Sequence, residues 1–299
     1  MIVKTVRIIK ASGPDRDQLL DSRIKEIESS GIKVLYTDVR PDPNWPYCSS
    51  SIPDRSRSLN EALIEEGSDA VWWARGGYGA SELLEHIPWK KVLKAKSKPI
   101  IGCSDACAAQ SALYATTGRP SIHAPMPANS LWNQQSEEDT KALLAMLKTG
   151  TWAGGFTITG PDKMFEGAIF GGNLAVLTSL IGTPYLPKTL NGFILLFEDI
   201  AENPGRVMRM LNQWKQSGLL NGVRAVILGS FKDLGGGLPD SSPVLFDEIK
   251  RRFALPFYVT TSFGHVSPNY SFVIGAKGKI DGNQFSWSYA PPEDTKPIS

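Results

Sequence analysis

The hydrophobic positions in the first half of the chain change repeatedly between a two-residue period and a helical period. Runs with strand character lie at residues 3–9, 33–39, 70–74 and 99–101. Helical spacing follows each of them, at residues 15–30, 56–66, 81–87 and from 106 onward. Because strands that alternate with helices form a parallel sheet with helices on both faces, this order predicts an α/β domain over residues 1–150.

The second half of the chain has more strands and fewer helices. Short strand-type runs lie at residues 157–158, 167–169, 193–197, 225–228, 257–260 and 273–274. One long helical pattern, residues 204–217, lies among them. We therefore predict a second, smaller α+β domain over residues 166–299, joined to the first by a linker at 151–165. The tail from Pro291 onward is predicted to be frayed.

Composition and charge argue against several classes of partner. The 299 residues are 41% hydrophobic and 21% charged, with a formal net charge of +2, which is typical of a globular protein. No block of Lys or Arg stands out, so we expect no nucleic-acid partner. No apolar run has the length of a membrane span or of a signal peptide, so we expect no membrane partner.

Cysteine and histidine are both scarce. The three cysteines, Cys48, Cys103 and Cys107, form an odd set without metal-type pairing, which is typical of a reduced cytoplasmic protein. The three histidines, His86, His123 and His265, include no HExxH spacing. We therefore predict neither a metal site nor a cofactor.

The stretch from Pro99 to Thr117 combines a strand, a sharp turn and a helix. An apolar run ends at Gly102-Cys103-Ser104-Asp105, and a helical pattern begins at Ala106. A serine at the apex of such a turn is typical of a nucleophile elbow, in which the new helix directs free N–H groups toward an oxyanion. The simpler interpretation is that Ser104 and Asp105 only cap the helix.

A glycine-rich loop, Arg75-Gly76-Gly77-Tyr78-Gly79, follows the third predicted strand. Glycine lets the backbone approach a ligand closely, and the next helix offers its N-terminal amides. The loop should lie beside the Ser104 turn if the two strands are neighbours. A phosphate-binding turn and an ordinary turn are the alternatives.

The fully apolar run at 193–197 ends in two acids, Glu198 and Asp199. A carboxylate at the end of a buried strand can orient a histidine and stabilise its imidazolium form. The alternative is a helix cap, for which Asp199 and Glu202 are candidates ahead of Pro204. Asn173, after Gly171-Gly172, is predicted to cap a helix and to have a structural or supporting role.

His265 is the best candidate for a general base. It lies in a loop after a predicted strand, within Ser262-Phe263-Gly264-His265, where a histidine is well placed for proton transfer. His86 has the position of a surface cation at a helix end. His123 is either a core residue or a substrate contact. Elimination therefore favours His265.

Six motifs together resemble the LD-carboxypeptidase (muramoyltetrapeptide carboxypeptidase) family of serine peptidases, along nearly the whole chain. They are ARGGYGASELL at 74–84, GCSDACA at 102–108, HAPM at 123–126, GGNLAVLTSLIGTPYLPK at 171–188, LFEDIAENPGRVMRML at 196–211 and FGH at 263–265. The resemblance implies that Ser104 is the nucleophile, Glu198 the triad acid and His265 the base. It also implies a Rossmann-like N-terminal domain, a C-terminal domain with a β-barrel-like core, and a homodimer.

The resemblance further implies a substrate and its contacts. The family releases the terminal D-alanine from the muropeptide tetrapeptide stem during cell-wall recycling in the bacterial cytoplasm. The backbone N–H groups of Asp105 and of the Gly76-Gly77 turn would stabilise the oxyanion. Substrate contacts are expected from Arg75, Tyr78, His123 and Asn173, and further candidates for holding the terminal carboxylate are Arg206 and Arg209.

Three alternatives stay open from the sequence. Cys103 is a competing nucleophile beside Ser104. A related branch of the family cleaves peptide–nucleotide antibiotics, and Trp132 or Trp152 could stack on a base there. The chain could also be a non-catalytic α/β protein that binds phosphates at the Gly76-Gly77 turn.

Overall fold

The fold was analysed in a computed structural model that describes residues 1–16, 18–39 and 41–290, so the tail from Pro291 lies outside the described residues. The strands are β1 (Thr5–Ile9), β2 (Lys33–Tyr36), β3 (Ala70–Trp73), β4 (Ile100–Gly102), β5 (Ser121–His123), β6 (Trp152–Thr157), β7 (Met164–Asn173), β8 (Ile194–Ile200), β9 (Ala225–Lys232), β10 (Phe257–Val259), β11 (Phe272–Ile274), β12 (Lys277–Asp281) and β13 (Gln284–Tyr289). The helices are α1 (Leu20–Ser29), α2 (Ile52–Ile64), α3 (Ala80–Leu83), α4 (Trp89–Lys94), α5 (Ala106–Thr117), α6 (Glu137–Thr149), α7 (Leu174–Ser179), α8 (Pro204–Gln216) and α9 (Pro243–Arg252), with 3₁₀ turns at Leu84–His86 and Ser130–Gln134.

The first sheet has the strand order β11-β5-β4-β3-β1-β2. The five strands from the N-terminal half pair in parallel, and β11 adds an antiparallel edge. Every residue of β3 and β4 is buried, because helices cover both faces of the sheet. The predicted parallel sheet of an α/β domain is confirmed. Since β3 and β4 are neighbours, the loops that follow them lie at the same edge.

The second sheet is curled and has the order β10-β9-β8-β7-β12-β13-β6. Strands β7 to β10 pair in parallel, whereas β7, β12, β13 and β6 pair in antiparallel fashion. Two backbone hydrogen bonds of 2.9 Å between Thr159 and Val259 link the ends of the sheet. This arrangement agrees with the expected barrel-like core of the C-terminal half.

The two halves of the chain are interlocked at two places. β6 lies within the segment predicted as a linker, yet it pairs along its length with β13 of the second sheet. β11 comes from the C-terminal half but pairs with β5 of the first sheet, with Phe272 opposite His123. The loop between β10 and β11 therefore crosses from one half to the other, and this loop contains His265.

Four of the described helices, α2, α6, α7 and α8, begin where a Ser or Asn side chain caps their first free N–H groups. Ser51 accepts from Asp54 N–H, so α2 begins earlier than the predicted residue 56. Asn203, and not Asp199 or Glu202, caps α8, where it accepts from Arg206 N–H at 3.0 Å. In the described part of the chain, no helix is both long enough and apolar enough to cross a membrane.

Candidate active site

Ser104 occupies a strained turn between β4 and α5. Its φ of 58° is in the left-handed region, which a residue with a side chain rarely adopts. Such strain persists only where the surrounding structure enforces it, and it is typical of a serine exposed on a nucleophile elbow. Ser104 is partly exposed, whereas its neighbours Cys103 and Asp105 are buried. The turn therefore presents the serine hydroxyl alone.

Gly76 lies directly against Ser104. A Cβ at position 76 would lie 2.9 Å from both Cβ and Oγ of Ser104, which is too close for any residue other than glycine. Gly76 O accepts from Gly13 N–H at 3.0 Å, and Gly77 has a φ of +116°. The structure thus brings the predicted glycine turn to the predicted nucleophile, as the neighbouring strands β3 and β4 require.

The Asp105 carboxylate connects the elbow to the glycine-rich loop. Its Oδ2 accepts from Ser12 Oγ–H at 2.5 Å and from Ala80 N–H, the first residue of α3, at 2.8 Å. Ser12 Oγ in turn accepts from Trp73 Nε1–H at 2.8 Å. Burial raises the pKa of Asp105 to about 6, although these hydrogen bonds and the nearby Arg55 act in the opposite direction. The sequence predicts that Asp105 supplies a backbone N–H or caps α5. Its side chain instead contacts Ser12 and the start of α3, a role that the sequence did not indicate.

Glu198 and His265 form a buried pair. His265 Nδ1 lies 2.7 Å from Glu198 Oε2, and Glu198 is 0% exposed on β8. A Cβ on Gly264 would lie 2.9 Å from Glu198 Cβ, so glycine allows the histidine loop to approach β8.

Each member of the pair shifts the pKa of the other toward its charged form. Burial alone would raise the pKa of Glu198, but the charge of His265 and contacts with two imidazoles lower this pKa to about 2. Burial alone would lower the pKa of His265, but the charge and hydrogen bond of Glu198 raise it. The arrangement can orient an imidazole and stabilise its imidazolium form.

The Asp199 carboxylate stabilises the start of α7. It accepts from Asn173 Nδ2, Ala175 N–H and Ile200 N–H, each at 2.9 Å. Burial and the charge of Glu198 raise the pKa of Asp199 to about 7. Of the two acids at the end of β8, Glu198 is therefore the one that contacts the histidine.

The predicted nucleophile and the predicted base come from different halves, and Asn269 helps to hold the loop of the base. Asn269 Oδ1 accepts from Gly264 N–H at 3.0 Å. Gln135 holds the same loop, since its Oε1 accepts from Asn269 N–H at 2.8 Å and its Nε2 donates to Val266 O at 3.2 Å. Sequence reasoning missed both residues, because neither belongs to a recognisable chemical motif.

Among the described residues, no hydrogen bond joins Ser104 Oγ to His265. Hydrogen bonds between a nucleophile and its base are often long without substrate and tighten in the complex. Cys103 has a different environment from Ser104. Burial and the charge of Glu198 raise the pKa of its thiol strongly, which disfavours the reactive thiolate.

The predicted substrate contacts differ in accessibility. Tyr78 lies in the same loop as Arg75 and is 47% exposed. Its hydroxyl donates to the Glu82 carboxylate at 3.0 Å. His123 is 0% exposed and faces Glu198. Asn173 is 4% exposed, donates to Asp199 and accepts from Val176 N–H at 3.0 Å, which is the predicted cap of α7.

The two tryptophans considered as stacking surfaces for a nucleotide base are both buried. Trp132 is 3% exposed and packs against Trp72, and Trp152 is 1% exposed and packs against Tyr289. Neither indole presents a free face on which a nucleotide base could stack. Within residues 1–16, 18–39 and 41–290, no cluster of three or more His, Cys, Asp or Glu side chains could hold a metal ion.

Comparison with known proteins extends over almost the whole chain. Residues 6–124 match the LD-carboxypeptidase N-terminal domain, and residues 166–280 match the LD-carboxypeptidase C-terminal domain. The chain is 26% identical to the murein tetrapeptide carboxypeptidase of Pseudomonas aeruginosa over 292 residues, which cover 94% of each chain. It is also 25% identical to the microcin C7 self-immunity protein MccF of Escherichia coli, over 86% of this chain and 84% of that one.

Solved structures show the same fold. The crystal structure of muramoyltetrapeptide carboxypeptidase from Oxalobacter formigenes superposes with a TM-score of 0.83 at 26% identity, covering 96% of this chain and 99% of that one. MccF in complex with aspartyl sulfamoyl adenosine superposes with a TM-score of 0.81 at 22% identity, covering 97% of each chain. The mixed α/β architecture is therefore shared by both kinds of relative.

Proposed function

Because this chain belongs to the LD-carboxypeptidase family, we propose that it is a serine carboxypeptidase that removes the terminal D-alanine from a muropeptide tetrapeptide stem. The observation that carries the proposal is the buried Glu198–His265 pair, in a chain whose Ser104 lies on a strained strand–helix turn. The first step is proton transfer from Ser104 Oγ to neutral His265, through Nε2, as Oγ attacks the carbonyl of the L,D-peptide bond.

Glu198 keeps the imidazole in the productive form. With Oε2 accepting from Nδ1–H, the free electron pair of the neutral ring lies on Nε2. The carboxylate charge then stabilises the imidazolium that forms as the proton arrives. Both effects require Glu198 to be ionised, and its lowered pKa meets this requirement at neutral pH.

The glycine turn and the start of α5 stabilise the tetrahedral intermediate. Backbone N–H groups of Asp105 and of the Gly76-Gly77 turn are the proposed donors, since Gly76 packs against Ser104. Collapse of the intermediate breaks the C–N bond, and imidazolium His265 gives its proton to the leaving amine of D-alanine. Water, deprotonated by His265, then hydrolyses the acyl-enzyme and regenerates Ser104.

The proposal also includes the cellular setting. We propose that the protein acts in peptidoglycan recycling, in the cytoplasm and as a homodimer. The reduced cysteines Cys48, Cys103 and Cys107 are compatible with that compartment. Light scattering coupled to size-exclusion chromatography measures the oligomeric state directly, and a monomer at micromolar concentration would contradict the dimer.

Product analysis tests the proposed reaction. Mass spectrometry of reactions with tripeptide, tetrapeptide and pentapeptide stems should show loss of D-alanine from the tetrapeptide alone. An aminoacyl-nucleotide substrate is the comparison arm, and its preferential cleavage would favour the alternative of a peptidase that cleaves peptide–nucleotide antibiotics. An active-site serine phosphonate should label Ser104, whereas a non-catalytic ligand-binding protein would stay unlabelled.

A further inference from the structure

His123 lies in a rigid aromatic slot next to the candidate active site. It ends β5, opposite Gly102 of β4 on one side and Phe272 of β11 on the other. Its ring is stacked on Phe272 at a centroid distance of 4.6 Å and an interplanar angle of 8°, and Phe263 contacts it edge-on at 6.3 Å. With 0% exposure the imidazole has no route to solvent, so its orientation is fixed by packing.

The same imidazole faces the second oxygen of Glu198. His123 Nε2 lies 3.9 Å from Glu198 Oε1, while Oε2 is already paired with His265. Within the described part of the chain, Glu198 Oε1 and both ring nitrogens of His123 are buried without a hydrogen-bond partner. Buried polar atoms are almost always paired, because an unpaired one has lost its hydration without compensation. Since Nε2 and Oε1 face each other, their positions indicate that each is the other's partner.

We propose that His123 is a positioning residue that holds the carboxylate of Glu198 through Oε1, so that Oε2 stays directed at His265. The inference rests on the proposed function, in which Glu198 orients the base. His123 acts through its Nε2–H, which is directed at the carboxylate. The 3.9 Å separation is longer than a hydrogen bond, but a buried dipole interacts strongly with a charge at this distance because the local dielectric constant is low.

The tautomer of His123 tests the inference in the unmodified protein. The chain has only three histidines, so a spectrum of protein labelled with ¹⁵N in its histidine rings contains three sets of signals. His86→Gln assigns the half-exposed ring. We expect His123 to be in the Nε2–H form and its signals to shift in Glu198→Gln. An Nδ1–H tautomer, or His123 signals that do not shift in Glu198→Gln, would overturn the inference.

Kinetics of His123 variants give a second, functional test. His123→Phe keeps a flat ring in the aromatic slot but removes the Nε2–H, and we expect kcat to fall roughly 10- to 100-fold with KM unchanged, as for other partners that orient a catalytic group. His123→Gln should recover part of the loss, because its amide N–H can reach Oε1. His86→Gln is the matched control and should keep full activity. Full kcat in His123→Phe would contradict the inference.

Ser104→Ala separates this inference from the proposed function. If Ser104→Ala is inactive while His123→Phe has full activity, only the role of His123 is wrong. If Ser104→Ala remains active, the proposed function itself is wrong. If His123→Phe does not fold, the tautomer measured in the unmodified protein decides the question.

Discussion

Gly76 packs so closely against Ser104 that a side chain at position 76 would collide with the Ser104 hydroxyl. A Cβ on Gly76 would lie 2.9 Å from Ser104 Oγ and 3.3 Å from Met126 Cε. The glycine therefore does more than allow a turn. It sets the distance between the backbone N–H groups of the loop and the hydroxyl of the proposed nucleophile.

Gly76→Ala should separate the loop from the nucleophile. We expect kcat to fall on the order of 100-fold or more, which is typical for loss of one oxyanion donor. The matched control is Gly67→Ala, where an added Cβ would find its nearest neighbour, Leu35 Cδ1, at 3.7 Å. Steady-state kinetics and thermal unfolding of both variants check this. Unchanged kcat in a folded Gly76→Ala protein would remove the loop from the mechanism.

The raised pKa of His265 sets the pH dependence of the reaction. The base must be neutral, so kcat/KM should fall on the acid side of a pKa that lies above the usual histidine value of about 6.5. Glu198→Gln removes the charge that opposes burial, so the acid limb should move to lower pH. The rate itself should fall roughly 10⁴-fold, as when a triad carboxylate is replaced by its amide. An acid limb that stays in place in Glu198→Gln would show that another group titrates.

The choice between Glu198 and Asp199 marks a limit of sequence reasoning. Adjacent residues of a strand point to opposite faces, and the strand before them is apolar on both faces. The pattern therefore could not show which face meets His265. The family resemblance designated Glu198, and the structure shows how the two acids differ: the Asp199 carboxylate accepts a hydrogen bond from Ala175 N–H in the first turn of α7.

The strand–turn–helix unit around Ser104 was predictable because it is local. Its apolar run, glycine and helical spacing are contiguous in sequence. The crossing of β11 into the first sheet was not, because a run of three apolar residues does not indicate its partner strand. The environment of His123 follows from that crossing, since Phe272 of β11 stacks on its ring. This is why the sequence left His123 open between a core position and a substrate contact.

Cys103 should be dispensable despite its place beside the nucleophile. Its thiol is buried, and burial together with the charge of Glu198 raises its pKa, so almost no thiolate forms at neutral pH. We expect Cys103→Ala to keep most of its activity and iodoacetamide to leave Cys103 unmodified in the native protein. Peptide mapping after alkylation and a kinetic assay measure both. Rapid alkylation of Cys103 with loss of activity would contradict the serine mechanism.

The buried carboxyl of Asp105 should make stability depend on pH. Its pKa is raised from 3.8 to about 6, so between these values the folded protein holds a proton that the unfolded chain has lost. Stability from this group is therefore full at low pH and declines as pH rises through about 6. Asp105→Asn keeps an oxygen for Ala80 N–H and can donate to Ser12 Oγ, but does not titrate.

We expect Asp105→Asn to gain stability relative to the native protein as pH increases from 4 to 8, by about 3 kcal/mol at most, since each unit of pKa shift corresponds to about 1.4 kcal/mol. Urea unfolding at pH 4 and pH 8 measures the difference. Asp105→Ala is the control, because it leaves Ala80 N–H unpaired and should lose stability at both values. A constant difference between native and Asp105→Asn protein across this range would contradict a raised pKa.

The hydrogen bonds between Gln135 and the His265 loop should affect the catalytic rate more than the stability of the protein. Gln135→Ala removes the bonds to Asn269 N–H and Val266 O but no part of the buried core. We expect kcat to fall roughly 10- to 100-fold, because a small displacement of His265 would misalign its Nε2 with Ser104 Oγ. The neighbouring Gln134 is the matched control, since it holds Ser267 only through its backbone carbonyl, which Gln134→Ala retains. Equal rates for the two variants would mean that the loop keeps its position without Gln135, which would contradict this prediction.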